Sequence, residues 1–128
     1  MSEPRETVLE IDLDALDHNY KYIRSKLDKN VKFMGVVKAF GYGSVAGEVA
    51  QKLSSLGVDS LAVAYTSEGA ALRKAGIKDS ILVLHPQSVN FKEVIDNCLE
   101  PSIYSEFVLR EFIRIAENAH LKEYPIHL

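Results

Sequence analysis

With 128 residues, 47% of them apolar, and 18 acidic against 15 basic side chains, the chain has the size and make-up of one ordinary globular domain. Its mildly negative balance contains no basic block to neutralise a run of phosphates, which excludes nucleic acid as an expected partner, and no stretch approaches the ~20 apolar residues that cross a bilayer. The start, MSEPRETVLE, lacks the apolar core of a secretory signal, and a lone Cys98 allows neither an internal disulfide nor a cysteine-based metal cluster, so the expected compartment is the cytoplasm, with Cys98 a small apolar filler.

After a short extended segment, TVLEIDL, Asp12 or Asp14 is placed to cap a helix whose apolar face is Leu16, Tyr20, Ile23 and Leu27. VKFMGVVK reads as a fully buried strand ending near Lys38. VAGEVAQKLSSLG reads as a helix with Val45, Val49, Leu53 and Leu56 on one side and Gly57 as its stop. SLAVAY repeats the strand, SEGAALRKAG the helix, closing at Gly76, and ILVL is a third strand. Pro86, Ser88 and Asn90 mark a turn before FKEVIDNC; PSIY is then strand-like, a helix follows with Val108, Phe112, Ile115 and Ala119 on one face, and PIHL is the last strand.

Short apolar strands alternating with amphipathic helices indicate the α/β class, a parallel sheet covered by helices. An open doubly wound sheet and a (β/α)8 barrel share that pattern. Strand ends near Lys38, Tyr65, Leu84, Tyr104 and Leu128 make five strands, whereas a barrel needs eight and ~250 residues, so a barrel reading makes residues 1–128 the front part of something longer.

Ligands of parallel α/β folds gather at the carboxyl ends of the strands, and Lys38 sits at such an end. A lysine among apolar walls loses solvation in its charged form, which favours the free amine, a nucleophile able to form a Schiff base with a carbonyl. The stretch GVVKAFGYGS adds glycines, a phenol at Tyr42 and a helix N-terminus near Ser44 that suits an anion. Lys38 and Tyr42 are thereby placed to hold an aldehyde and a phosphate at opposite ends of one ligand; a plainer reading makes Lys38 a snorkelling edge residue. Gly41, Gly43 and Gly47 also form an array close to some dinucleotide-binding turns. The acidic residue expected at the end of the second strand is missing there, since Glu68 lies already in the next helix.

Other candidates have blander readings. His85, Tyr65 and Tyr104 read as turn or strand-end packing, His127 as lining a barrel interior and His120 as a solvated helix end. Asp12, Asp14 and Asp17 read as charges complementing a helix dipole, and the histidines have no metal-ligand spacing.

The string VVKAFGYGS resembles the pyridoxal-phosphate lysine motif of alanine racemases, usually V-V-K-A-N-A-Y-G-H-G at the end of the first barrel strand. EIDLDALDHNYKYIRSKL is similar to that family's opening segment, LAVAYTSEGAALRKAGI to its second strand and helix, and ILVLHP to its third strand. The resemblance implies that residues 1–128 are the N-terminal part of a (β/α)8 TIM barrel, truncated after about five strands and without the family's C-terminal β-domain. It implies a cytoplasmic isomerase that racemises L-alanine to D-alanine for peptidoglycan. By the same resemblance Lys38 holds pyridoxal 5'-phosphate covalently and serves as the base on one face of the substrate, Tyr42 hydrogen-bonds the cofactor phosphate, and Leu84 packs beside the cofactor.

The family's second base is a tyrosine from the partner subunit of a homodimer, and no residue here matches it. Phe40, Gly41 and Ser44 stand where the family has asparagine or aspartate, alanine and histidine. Because the family continues past PIHL into a K-x-D-T-G-M segment, the 128 residues alone are expected to be inactive. The alternatives are a non-catalytic barrel fragment that binds cofactor weakly and a dinucleotide-binding α/β domain.

Overall fold

A computed structural model describes residues 7–128. Along the chain run α1 (Leu13–Ser25), β1 (Met34–Val36), a helical turn α2 (Lys38–Tyr42), α3 (Ala46–Ser55), β2 (Ser60–Val63), α4 (Thr66–Lys74) and β3 (Ser80–Val83). A 3-10 turn (Ser88–Asn90) leads into α5 (Phe91–Asp96), followed by β4 (Glu100–Pro101) and α6 (Glu106–Asn118). The four strands form one parallel sheet in the order β1-β2-β3-β4, and a parallel bridge joins Ser102 to His127, where PIHL was expected to add a strand. Each strand lies beside the next in sequence, the winding of a barrel; a doubly wound sheet would reverse its order at a switch point.

Local chemistry sets the helix starts. Asp12, rather than Asp14, caps α1, its carboxylate accepting from the N–H groups of Asp14 and Ala15 at 2.9 Å each. Ser105 caps α6 through the Val108 N–H at 3.2 Å. Helix α4 ends against Arg73, whose guanidinium donates to the carbonyls of Ile77, Asp79, Asn97 and Cys98 at 2.9, 2.7, 2.9 and 3.0 Å. One side chain thus ties down the loops that lead into β3 and β4.

The two faces of the sheet differ. One carries Val37, Leu61, Val63, Ile81 and Val83, all buried against Ala50, Leu53, Leu72, Phe91, Val94 and Phe112 of the helices. The other carries Met34 and Val36 of β1, 38% and 42% exposed, beside Ala62 and Leu82 of β2 and β3, which are buried. VKFMGVVK is therefore not the fully buried strand expected: β1 is three residues long, lies at the edge of the sheet, and alternates exposed, buried, exposed. TVLEIDL has no regular structure before α1, and Ile23 of the expected α1 face is exposed. Val45 is the N-cap of α3 at φ 59° rather than part of its apolar stripe, and Ala119 is the exposed C-cap of α6. Cys98 is no filler either; it is exposed, at φ 50° in the turn before β4.

Candidate functional site

The Val37 N–H donates to the Ala62 carbonyl at 2.9 Å, which carries the β1–β2 pairing one residue past β1 and up to Lys38. Leu84 and Ser102 extend β3 and β4 in the same way, donating to Val63 at 2.9 Å and Val83 at 3.0 Å. Continuing the pairs Val36↔Ala62, Ala62↔Leu82 and Leu82↔Glu100 by two residues sets Lys38, Ala64, Leu84 and Ser102 in one row across the carboxyl end of the sheet. Lys38 is half-buried and Leu84 is 38% exposed.

Lys38 does not simply end a strand. It opens a turn in which Ala39, Phe40 and Gly41 have φ/ψ of 52/49°, 57/39° and 66/36°, with Tyr42 at φ 55°. These are the angles of a left-handed helix, which costs roughly 1–2 kcal/mol for each residue carrying a Cβ. The turn is closed by its own backbone: Gly41 donates to Val37 at 3.0 Å, Gly43 to Ala39 at 3.2 Å and Ser44 to Gly41 at 3.0 Å. The amide of Ala39 donates to the Glu68 carboxylate at 2.7 Å. Gly41 is buried where an added Cβ would lie 3.1 Å from the backbone of Ala46, so the turn sits directly on the start of α3.

These hydrogen bonds bear on two expectations. A dinucleotide turn needs free amides to meet a pyrophosphate, whereas the amides of Ala39, Gly41, Gly43 and Ser44 are all bonded within the protein. The helix expected near Ser44 begins at Ala46 instead, because Val45 is held at positive φ. Tyr42 projects from the same turn as Lys38 and is 65% exposed, lining a cleft of about 410 Å³ shared with Leu16, Val36 and Val49. Phe40, also 65% exposed, lines a second cleft of about 370 Å³ with Val37, Val63, Glu68 and Leu72.

Along the ends of β2, β3 and β4 the structure gathers three residues that sequence reading treats one by one. His85 lies edge-on to Tyr65, ring centroids 6.1 Å apart, and stacks on Tyr104 at 5.8 Å and 10°. The Tyr104 hydroxyl donates to the Pro86 carbonyl at 3.4 Å. Ser80 donates to Glu100 at 2.6 Å, and His127 Nε2 lies 2.7 Å from the other oxygen of the same carboxylate. Burial pushes the Glu100 carboxyl up, but hydrogen bonds from Ser80 and His127, with the charges of His127 and Arg73, hold it below its usual value overall.

Two residues escape sequence reading. Glu100 gives no signal, because its partners Ser80 and His127 lie 20 and 27 residues away along the chain. Glu68 has a signal, an acid three residues after the Tyr65 N-cap, whose N–H it accepts at 3.0 Å. Its further reach to Ala39, 29 positions away, is a tertiary fact.

Residues 11–128 match the family model described as alanine racemase, N-terminal domain. The chain is 38% identical over 127 residues to "Alanine racemase 2" of Oceanobacillus iheyensis, covering 97% of this chain and 32% of that protein. It is 48% identical over 80 residues to "Alanine racemase 2" of Bacillus subtilis, covering 62% of this chain and 20% of that one. Among solved structures, an alanine racemase of Clostridium difficile 630 superposes with a TM-score of 0.86 at 36% identity, over 90% of this chain and 31% of that one. The chain spans about a third of the length of such relatives.

Proposed function

Since the chain belongs to the alanine racemase family, in its N-terminal barrel segment, we propose that the whole protein interconverts L- and D-alanine using pyridoxal 5'-phosphate held on Lys38. The observation that carries this reading is the row of Lys38, Ala64, Leu84 and Ser102 at the carboxyl end of the sheet, with a phenol on the turn that Lys38 opens.

These groups fit that cofactor chemically. A primary amine bonds an aldehyde, a phenol donates to a phosphate, and an exposed leucine beside the small Ala64 and Ser102 offers an apolar surface to a flat ring. When bound, pyridoxal phosphate supplies an electron sink for the carbanion that follows loss of the α-proton. Lys38 anchors the group and, when its amine is free, takes and returns the α-proton at Nζ on one face of the substrate. Tyr42 donates its hydroxyl to the phosphate, and Leu84 packs against the ring and keeps water from it.

The proton carrier for the opposite face is expected outside residues 1–128, from the partner subunit of a homodimer. The 128 residues alone are therefore expected to capture the cofactor without turning over alanine, as the domain assignment of 1–128 to an incomplete barrel requires. The family resemblance extends this proposal to a cytoplasmic enzyme supplying D-alanine for peptidoglycan; separately, no helix among the described residues is long and apolar enough to cross a membrane.

The test is capture. Pyridoxal phosphate added to the protein, followed by borohydride and peptide mapping, should place the reduced adduct on Lys38, and Lys38→Ala should abolish it. A wild-type adduct spread evenly over the surface lysines, or none at all, would sink the reading.

A further inference from the structure

Glu68 occupies an unusual place. Its Oε1 accepts from the Ala39 N–H at 2.7 Å, and its Oε2 from the N–H groups of Ala64 and Tyr65 at 2.8 and 3.0 Å. One carboxylate therefore joins the first residue after Lys38 to the two residues that follow β2, across the gap between the two strand ends. It does so from α4, whose packing on the sheet through the buried Gly69, Ala70 and Leu72 leaves it little freedom to shift.

The turn it holds is a strained one. Ala39, Phe40 and Tyr42 all carry Cβ atoms at positive φ, and such conformations persist where the surroundings over-determine them. The hydrogen bonds inside the turn fix its shape but not its bearing on the sheet, since each runs between residues 37 and 44. Two amides of the segment bond outside it, one on either side of Lys38: Val37 donates to Ala62 of β2 at 2.9 Å, and Ala39 donates to Glu68. An unpaired amide at Ala39 would favour unwinding the turn to reach water.

We infer that Glu68 is a positioning residue for Lys38: by holding the Ala39 amide against the end of β2, it keeps the strained turn wound and aims the lysine along the row toward Ala64 and Leu84. The lysine part of this inference rests on the cofactor reading above; the tether itself does not. Glutamine in place of Glu68 offers one acceptor and one donor, so it keeps only one side of the bridge, and alanine keeps neither.

Two readouts on the full chain and its Glu68→Gln and Glu68→Ala variants test this. In hydrogen exchange, the Ala39 amide of Glu68→Ala should exchange at least about tenfold faster than in wild type, while the amides of β2 and β3 are unchanged. In capture by pyridoxal phosphate and borohydride, the rate at Lys38 should fall about tenfold in Glu68→Ala and less in Glu68→Gln, with the other lysines unaffected. A purely structural role would instead speed exchange throughout the sheet and alter all lysines alike. Unchanged Ala39 exchange in Glu68→Ala overturns the tether, and unchanged Lys38 capture with faster Ala39 exchange overturns the positioning role. Absence of Lys38 capture in wild type would overturn the cofactor reading, with Ala39 exchange still deciding the tether.

Discussion

Arg73 concentrates more of the fold's polar wiring than any other side chain described above, and removing it has a calculable effect. Its guanidinium spans four carbonyls at 2.7–3.0 Å, two in the loop before β3 and two in the turn before β4. A hydrogen bond from a charged donor is worth about 1.5–3 kcal/mol net, so four independent ones would approach ~10 kcal/mol. They are not independent: one side chain makes them all, its ordering costs about 2 kcal/mol, and in a half-buried site water replaces part of what is lost. Arg73→Ala should therefore destabilise by about 3 kcal/mol. With a urea slope of about 1.5 kcal/mol/M, the midpoint falls by ~2 M with the slope unchanged. Arg73→Lys separates charge from geometry, because one ammonium cannot reach carbonyls in both loops, and it should recover less than half of the loss. Urea unfolding followed by far-ultraviolet circular dichroism measures both. A loss under about 1 kcal/mol in Arg73→Ala, or full recovery in Arg73→Lys, would refute the claim that the fork geometry is what matters.

Two pH-dependent effects follow from half-buried groups. The Tyr124 hydroxyl, between the carbonyls of Leu99 at 2.8 Å and Val94 at 3.2 Å, is pushed up to about 12 by burial and by the negative charges at Cys98 and Glu100. Its proton is held more tightly folded than unfolded, so its contribution is intact below the ordinary phenol value of about 10 and drains away as pH rises toward 12. In a phenolate absorbance titration Tyr124 should ionise late, and Tyr124→Phe should remove that late step at a cost of about 1–2 kcal/mol. Glu100 has the opposite sign: its carboxyl is depressed in the fold, so its contribution is present above the ordinary carboxylate range and is lost as pH falls through the folded value. Thermal midpoints taken from about pH 6 down to about pH 3 should drop more steeply in wild type than in Glu100→Gln; equal slopes would remove Glu100 from the acid response.

The alternation of strands and helices was legible because each strand packs its buried face on helices with a 3.6-residue period, and both signals lie in neighbouring residues. Val37, Val63 and Val83 announce the sheet, and Asp12 and the glycines after α3 and α4 announce the helix ends. Lys38 was legible as an amine at a strand end. The left-handed turn after it was not, since Ala39, Phe40 and Tyr42 have no propensity for positive φ and adopt it where the turn meets Glu68 of α4 and the start of α3. The exposure of Met34 and Val36 was also hidden: an apolar run reads the same whether one face or both are covered.

The departures from the family's lysine motif at positions 40 and 41 belong to one packing solution. Gly41 lets the turn approach Ala46 to a distance at which a Cβ would meet backbone at 3.1 Å, and that approach draws the turn over the start of α3. There Phe40 faces the largely apolar cleft lined by Val37, Val63 and Leu72, a place where an asparagine would find mostly apolar walls, with Ser67 and Glu68 as its polar neighbours. Glu68 lines that cleft and holds Ala39 with its carboxylate, so the same residue that tethers the turn also forms part of the wall beside Phe40. A change at position 41 that lifts the turn from α3 must therefore act on Phe40 and on the Glu68 bridge together, and through them on the bearing of Lys38.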